Sequence, residues 1–437
     1  MRRYHIRGGN AREIAESLEL AIDAGRFAPG ERLPTIRALA ADLGVSPTTV
    51  NAAFAALRAH GRIGGNRRGG SVVIGRTAFQ TGLVDAPPTA ARNLAVANPD
   101  PAFLPALRPI VRASVPERRL YGEGRDGAAL LAAARRWFAR DGIPADHLAV
   151  ASGAADAVER ILLTQLVAGD VIALEDPTYP PYRELARALN LRVFPVAIDE
   201  RGIVPAALAA ALRARAKAVV VVPRGQNPTG AAFDGERVRA LRRVLDAAPE
   251  TLVIEDDYLA DVAGAPAHTL SGRSRWAHVR SVAKTYGPDL RLALLAGDPL
   301  TIARVQDRQR LGSGWVSHIL QETVAALMAD RAAGRLVRAA ARTYAERRGA
   351  LLEALAAHGI AAFGASGFNV WIPVPEEGAV LRALEAAGWA VDAGERYRTA
   401  TPPAIRVTVT TMLAPEAARF AAALARIVGR SGRTASV

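Results

Sequence analysis

Ser281-Val282-Ala283-Lys284-Thr285-Tyr286-Gly287-Pro288-Asp289-Leu290-Arg291 closes one of the apolar strands of this 437-residue chain, and it does so on an amine. The lysine is informative because the chain avoids lysine. Of 56 Lys and Arg residues, only Lys217 and Lys284 are lysine. Lys217 lies in the basic stretch Arg213–Lys217 and reads as a surface residue. Lys284 follows HVRSVA at the carboxyl end of a strand, which is where open α/β sheets bind ligands. An amine can shed its proton and attack a carbonyl; a guanidinium cannot.

Outward from that segment, strands and helices alternate from Asn93 on. LAVASG (148–153), VIALED (171–176), AVVVVP (218–223), TLVIED (251–256) and HVRSVAK (278–284) read as short apolar strands. The helical stretches 127–142 and 235–248 fall between them. This predicts a mainly parallel sheet covered by helices. Val316–Ala357 reads as long helices, and about 360–430 as a small α+β subdomain. Ser152-Gly153-Ala154 follows a strand and opens a helix, the arrangement of a phosphate site, although alone it is equally an ordinary strand–helix turn.

Residues 1–75 have a separate pattern. Ile14, Leu18 and Ile22 recur at one helical turn and predict a helix over 11–24. Ile36, Leu39, Ala40 and Leu43 mark a second, stopped by Gly44. Ser46-Pro47 is a cap followed by a proline at the first helical position, and Val50, Phe54 and Leu57 stripe a third helix. Ile63 and Val72-Val73-Ile74 flank Gly64–Gly70 as a hairpin. Three helices and a hairpin make a winged helix–turn–helix. Residues 76–92, with Pro87-Pro88, read as a linker to a domain over 93–437.

Composition narrows the classes further. There is no cysteine, so disulfides and thiolate metal sites are excluded. No apolar run approaches the ~20 residues that span a bilayer, and MRRYHIRGGN lacks a signal-peptide core. A cytoplasmic chain with no membrane partner and no metal is expected. The net charge is +14, and residues 1–75 carry eleven Arg against six acids. That density fits a nucleic-acid partner, although arginine-rich usage throughout the chain accounts for it equally well.

The segment from Ser281 to Arg291 resembles the lysine segment of type I aminotransferases. There the lysine holds pyridoxal 5'-phosphate (PLP) as an aldimine, and the arginine seven places on binds its phosphate. Further blocks agree in order. Tyr121-Gly-Glu-Gly-Arg-Asp-Gly resembles the segment whose tyrosine reaches the phosphate of the partner subunit's cofactor. Asp176-Pro-Thr-Tyr179 resembles the loop that lays an aromatic on the pyridine ring; Tyr182 is an alternative. Asn227-Pro-Thr-Gly230 matches the turn whose asparagine touches the ring hydroxyl. Glu255-Asp256-Asp257-Tyr258 resembles the strand end whose aspartate pairs with the pyridine nitrogen and whose tyrosine bonds the hydroxyl. Asp256 is expected in the aspartate role, with Asp257 the alternative. Ala404-Ile-Arg406-Val resembles the segment whose arginine clamps a substrate carboxylate; pairing with a core acid is the other reading of Arg406. The resemblance thus implies Tyr121, Ser152, Gly153, Ala154, Tyr179, Asn227, Asp256, Tyr258, Ser281, Lys284 and Arg291 around PLP. It implies Arg406 and Asn227 around an effector. Ala283 departs from the Ser or Thr of many relatives, and Ala293 from a glycine.

Pro29-Gly-Glu-Arg-Leu-Pro-Thr-Ile-Arg37 and Leu43-Gly-Val-Ser-Pro-Thr-Thr-Val50 resemble the GntR-type winged helix. The resemblance implies DNA contacts from Arg37, Ser46, Thr48, Thr49 and Asn51, and from the wing residues Arg67, Arg68 and Gly70. Ser46 and Thr49 read equally well as helix-start residues. Pro47 and Asn51 stand where many relatives carry arginines. A GntR-type winged helix before a PLP-dependent transferase of fold type I is the layout of the MocR/GabR regulators. This implies a head-to-tail homodimer on a double-stranded DNA operator, with PLP or an amino compound as effector. A working aminotransferase with an accessory DNA-binding domain is the alternative.

Overall fold

The computed structural model describes residues 6–28, 30–59, 62–64, 70–74, 91–114 and 118–434. Two compact units separate, one carrying the N-terminal module and the other nearly all the rest.

The N-terminal unit has helices Ala11–Asp23, Ile36–Leu43 and Pro47–Ala59. Each start has a local cause. Asn10 accepts the Glu13 N–H, while the Glu13 carboxylate reaches back to the Gly9 N–H, a reciprocal cap. Thr35 accepts the Ala38 N–H. Ser46 accepts the Thr49 N–H at 3.1 Å. Gly44, at φ 65°, supplies the left-handed residue that ends the second helix. Strands Ile63–Gly64 and Val72–Val73 pair antiparallel, and Arg32 bridges to Val72 from the other side. Ile14, Leu18, Phe27, Val50, Phe54, Leu57 and Ile63 form one buried core. The wing residues Arg67 and Arg68, and all of the expected linker before Ala91, lie outside the described residues.

In the second unit an eight-stranded sheet runs in the order 148–151, 293–297, 276–281, 252–257, 216–221, 171–176, 192–199, 202–203. Trp276–Ser281, Leu252–Asp257, Ala216–Val221 and Val171–Asp176 are parallel to their neighbours in that run. Leu148–Ala151 pairs antiparallel with Ala293–Gly297, which is itself antiparallel to Trp276–Ser281. The outer strand therefore points the same way as the parallel set, and five carboxyl ends face one side. The sheet is mixed, because Ala293–Gly297 turns back and Gly202–Ile203 pairs antiparallel with Arg192–Asp199.

The long helices His318–Ala329 and Arg331–Ala356 lead to a C-terminal three-stranded sheet in the order 369–373, 404–408, 392–393. Glu377–Ala386 and Ala414–Thr434 are the helices of this part. Arg92, assigned from sequence to the end of the linker, pairs in a strand with Trp389, and its guanidinium meets Glu416 at 2.8 Å. Among the described residues no helix is long and apolar enough to cross a membrane.

Phe54 is 1% exposed within the winged-helix core. Phe54→Ala should lower the stability of that module by about 3–5 kcal/mol. Amide hydrogen exchange will show this as faster exchange within residues 11–73, with the eight-stranded sheet unchanged; equal loss in both units would contradict separate cores.

Candidate PLP site and DNA-binding face

Strand alternation sorts two adjacent acids to opposite faces. Asp257 turns into a buried ionic layer. Arg224 grips it with two bonds of 2.8 Å, Arg280 Nε donates at 2.9 Å, and His278 lies at 3.5 Å. Glu255, on the same face, accepts from Thr269, Ser271 and the Leu270 N–H, and meets His278 at 3.2 Å. These cations hold the Asp257 carboxyl well below the usual carboxylate range despite its burial. Asp257 is thus committed and cannot serve as the alternative ring-nitrogen partner.

Asp256 faces the other way. Its Oδ2 accepts the Tyr182 hydroxyl at 2.5 Å, and its Oδ1 is buried with no partner. Burial, with repulsion from Asp257, raises its carboxyl to about 7. A buried carboxylate oxygen with nothing to bind is a place for a cation or an N–H donor.

Lys284 Nζ donates to the Ala97 carbonyl at 2.5 Å. Burial, helped by the Arg406 charge, lowers its amine to about 8. A substantial share of the side chain is then neutral and nucleophilic near physiological pH.

The third feature is an anion cup. Gly153, at φ 113°, precedes helix Ala154–Gln165, whose start has no side-chain cap. Its first N–H groups lack intrahelical partners and point outward. A Cβ on Gly153 would sit 2.9 Å from Arg291 Nη2, so glycine is what lets that guanidinium approach. Arg291 itself has φ 42° and bonds the Ser152 carbonyl at 3.3 Å. Ser281 Oγ accepts the Ala283 N–H at 3.1 Å. The register sets Ser281 and Ala151 on either side of Ala293, which aligns the Lys284 strand with the Gly153 turn.

Around this centre, Tyr179 packs edge-on against Tyr182, ring centroids 5.4 Å apart. The Tyr179 phenol is pushed up by burial and by Asp256, and is drawn down by Arg291 and Arg406. Tyr258 donates to the Gly225 carbonyl at 2.9 Å. Asn227 Oδ1 accepts from Arg406 Nη1 at 2.9 Å and from Asn369 at 3.3 Å. Arg406 also pairs with Asp392 at 3.0 Å, so the core-acid reading holds for it. Tyr121 is not gathered with these groups: it is 91% exposed, edge-on to Trp315. Sequence reasoning did not single out Asp392, Tyr397 or the Ala97 carbonyl. Asp392 left one faint trace, a lone acid inside the apolar run WAVDA.

On the N-terminal unit, Arg37, Ser46, Thr48 and Asn51 are exposed. The Ser46 and Thr49 hydroxyls bond each other at 2.8 Å, so both also serve the helix start. Gly70 is exposed, at φ 78°. Arg58 reaches Ser71 Oγ at 3.4 Å.

An amine of lowered basicity, an orphaned buried carboxylate oxygen and an arginine-backed helix start match the aldehyde, ring nitrogen and phosphate of PLP. With the winged helix, they define a PLP-dependent transferase of fold type I fused to a DNA-binding module. Residues 92–424 match aminotransferase class I and II, and residues 10–73 match the gntR family of bacterial regulatory proteins. The chain belongs to both families and has the layout of the MocR-type regulators.

It is similar to the vitamin B6 salvage pathway transcriptional repressor PtsJ of Salmonella typhimurium, at 35% identity over 97% of this chain and 100% of that one. It is also similar to the HTH-type transcriptional regulator TauR of Rhodobacter capsulatus, at 28% identity over 89% and 90%. Its fold matches a multiple substrate aminotransferase from Thermococcus profundus with TM-score 0.73, at 20% identity over 82% of this chain and 96% of that one. PLP is the cofactor of this fold; when bound, it supplies an electrophilic aldehyde and an electron-accepting ring.

Two outcomes follow. Because the Asp256 carboxyl is raised in the folded chain, the native state holds a proton that the unfolded chain has lost, and stability falls as pH rises from about 4 to about 7. Asp256→Asn should therefore raise the Tm of cofactor-free protein at pH 8, while weakening PLP binding about tenfold or more. A lower Tm or unchanged PLP affinity would contradict the assignment. For Lys284, the rate of PLP capture should rise with pH and level off above about 8. A rate still climbing at pH 10 would indicate an unperturbed lysine.

Proposed function

We propose that the aminotransferase-like domain is the sensor of this regulator, with Lys284 as the amine that bonds PLP. Asp256 serves the ring nitrogen, and Gly153, Ala154, Ser152, Ser281 and Arg291 serve the phosphate. Tyr179 lies on the ring, and Asn227 and Tyr258 serve its hydroxyl. The observation that carries this reading is the presence of both a buried Lys284 amine of lowered basicity and an unpartnered, buried Asp256 Oδ1 in a chain that also exposes its third N-terminal helix. The named role of the Salmonella relative in vitamin B6 salvage supports PLP, or an amino compound that meets it, as the signal.

Arg37, Thr48 and Asn51 meet duplex DNA, with Ser46, Thr49 and Gly70 shaping that surface and Arg67 and Arg68 adding DNA contacts. Asn51 suits an adenine edge and Arg37 a phosphate. The chain acts as a head-to-tail homodimer. The exposed Tyr121 then serves the partner's cofactor phosphate, and half-sites fall about 34 Å apart or a multiple of it. The domains follow the sequence reading, winged helix over 1–75, linker from 76 and PLP domain to 437, except that Arg92 belongs with the PLP domain, whose strand it joins.

A ligand shifts the DNA-bound population only by its differential affinity for the two states, ~1–3 kcal/mol in typical cases. The test uses DNA carrying the chain's own upstream region. Wild-type protein should change its affinity for it when PLP is added, and borohydride should fix the cofactor to Lys284. Lys284→Ala should lose both while keeping salt-sensitive DNA binding. A normal PLP response in Lys284→Ala would sink the sensing role. Steady amino acid–keto acid turnover at ~1–10³ s⁻¹ without any DNA response would instead favour an enzyme.

A further inference from the structure

Arg406 stands where fold type I would present a cation to a ligand carboxylate, yet in this chain its charge is already answered. Asp392 and Arg406 are direct cross-strand partners between strands Asp392–Ala393 and Ala404–Thr408, so their side chains share a face. Asp392 is 2% exposed and forms an ion pair with Arg406, Oδ2 to Nη2 3.0 Å. It also accepts the Tyr397 hydroxyl, the Ala393 N–H at 3.1 Å and Arg396 Nη1 at 3.4 Å. The Tyr397 ring lies under the Arg406 guanidinium, 4.9 Å from its centroid.

The bonding pattern matters more than the charge count. A guanidinium offers a carboxylate two forks, Nε with Nη2 and Nη1 with Nη2. Both pass through Nη2. Nη2 donates to the Ala95 carbonyl and stands 3.0 Å from the Asp392 carboxylate as an ion pair. Nη1 gives a bond to Asn227, and Nε–H is buried and unpaired but stands alone. No fork is open. A ligand carboxylate would have to displace Asp392, leaving a buried acid without its arginine, a costly exchange.

We propose that Asp392 is the specificity-determining residue of this site. It occupies the arginine edge that an α-carboxylate needs, so the site takes PLP alone or with an amine that carries no carboxylate beside its nitrogen. This rests on the reading that Lys284 holds PLP. It separates the chain from a working transaminase: the cofactor-holding groups are intact, and the α-amino-acid clamp is closed from within.

The test titrates full-length, PLP-loaded protein with L-serine and with ethanolamine, which differ only by the α-carboxylate, and reads the visible band of the bound cofactor. Wild type should bind serine no more than about threefold tighter than ethanolamine, and Asp392→Asn, which keeps the shape but drops the charge, should shift that ratio toward serine by about tenfold or more, a change of about 1.4 kcal/mol. The wild-type comparison stands without the variant, should Asp392→Asn fold poorly. An intact band with a tenfold serine preference in wild type overturns this inference alone, as does an unchanged ratio in a folded Asp392→Asn. A wild type that acquires no band overturns it together with the PLP reading.

Discussion

Neighbouring residues on a strand face opposite sides, and Asp256 and Asp257 turn that geometry into a division of labour. Asp257 is buried among Arg224, Arg280 and His278, with Glu255 completing the layer through His278. Arg280 is fully buried between Trp137 and Phe138, 5.3 and 5.2 Å from their ring centroids. This layer fixes the strand end in one register. Only then can the adjacent Asp256 be held out with one oxygen unpaired. Buried ion clusters of this kind are weak evidence for added stability, since desolvation offsets much of the attraction. What the cluster supplies is position. An uncompensated acid next to a mobile strand end would relax toward any donor; beside a fixed one it keeps one oxygen unpaired.

The same logic links the site to the sheet. Five strand ends face one side because Ala293–Gly297 reverses between Leu148–Ala151 and Trp276–Ser281. The reversal brings the Gly153 turn and its bare helix start into line with Lys284. Arg291 reaches that turn from the segment just before the reversing strand, in a left-handed conformation that costs a non-glycine residue ~1–2 kcal/mol. The anion cup is therefore a product of topology: one extra antiparallel strand sets the spacing between amine and phosphate pocket.

Much of this was legible in the sequence. Lysine scarcity made Lys284 stand out, and the alternation of apolar runs with helical stretches declared a helix-covered sheet. The winged helix was readable from its apolar stripes and from Gly44 and Ser46, whose effects are local in sequence; the Asn10 and Thr35 caps, equally local, emerged only in the structure. What escaped was non-local. The strands Arg192–Asp199 and Ala293–Gly297 were not among the expected ones; only the short 3-10 turn Pro288–Leu290 separates the second from its neighbour, so no change of period announces it. The choice between Asp256 and Asp257 needed the identity of their neighbours across the sheet. The Asp392–Arg406 pair depends on a cross-strand register that the thirteen residues of intervening chain do not encode.

That pair bears on why a site keeps part of a catalytic apparatus. An enzyme must place its substrate relative to the reacting bond, and binding energy from remote groups supplies much of that placement. A sensor needs only that occupancy differ between two states of the protein. On the proposed reading, Lys284, Asp256 and Arg291 would be enough to register occupancy by PLP. A free arginine fork would add affinity for every abundant α-amino acid and blur the signal, so closing it is a gain in discrimination. Filling the fork with a carboxylate from the chain itself removes the attraction without leaving a buried cation unpaired. On that proposal the chain retains the groups that would hold the cofactor and neutralises the one that would choose a substrate.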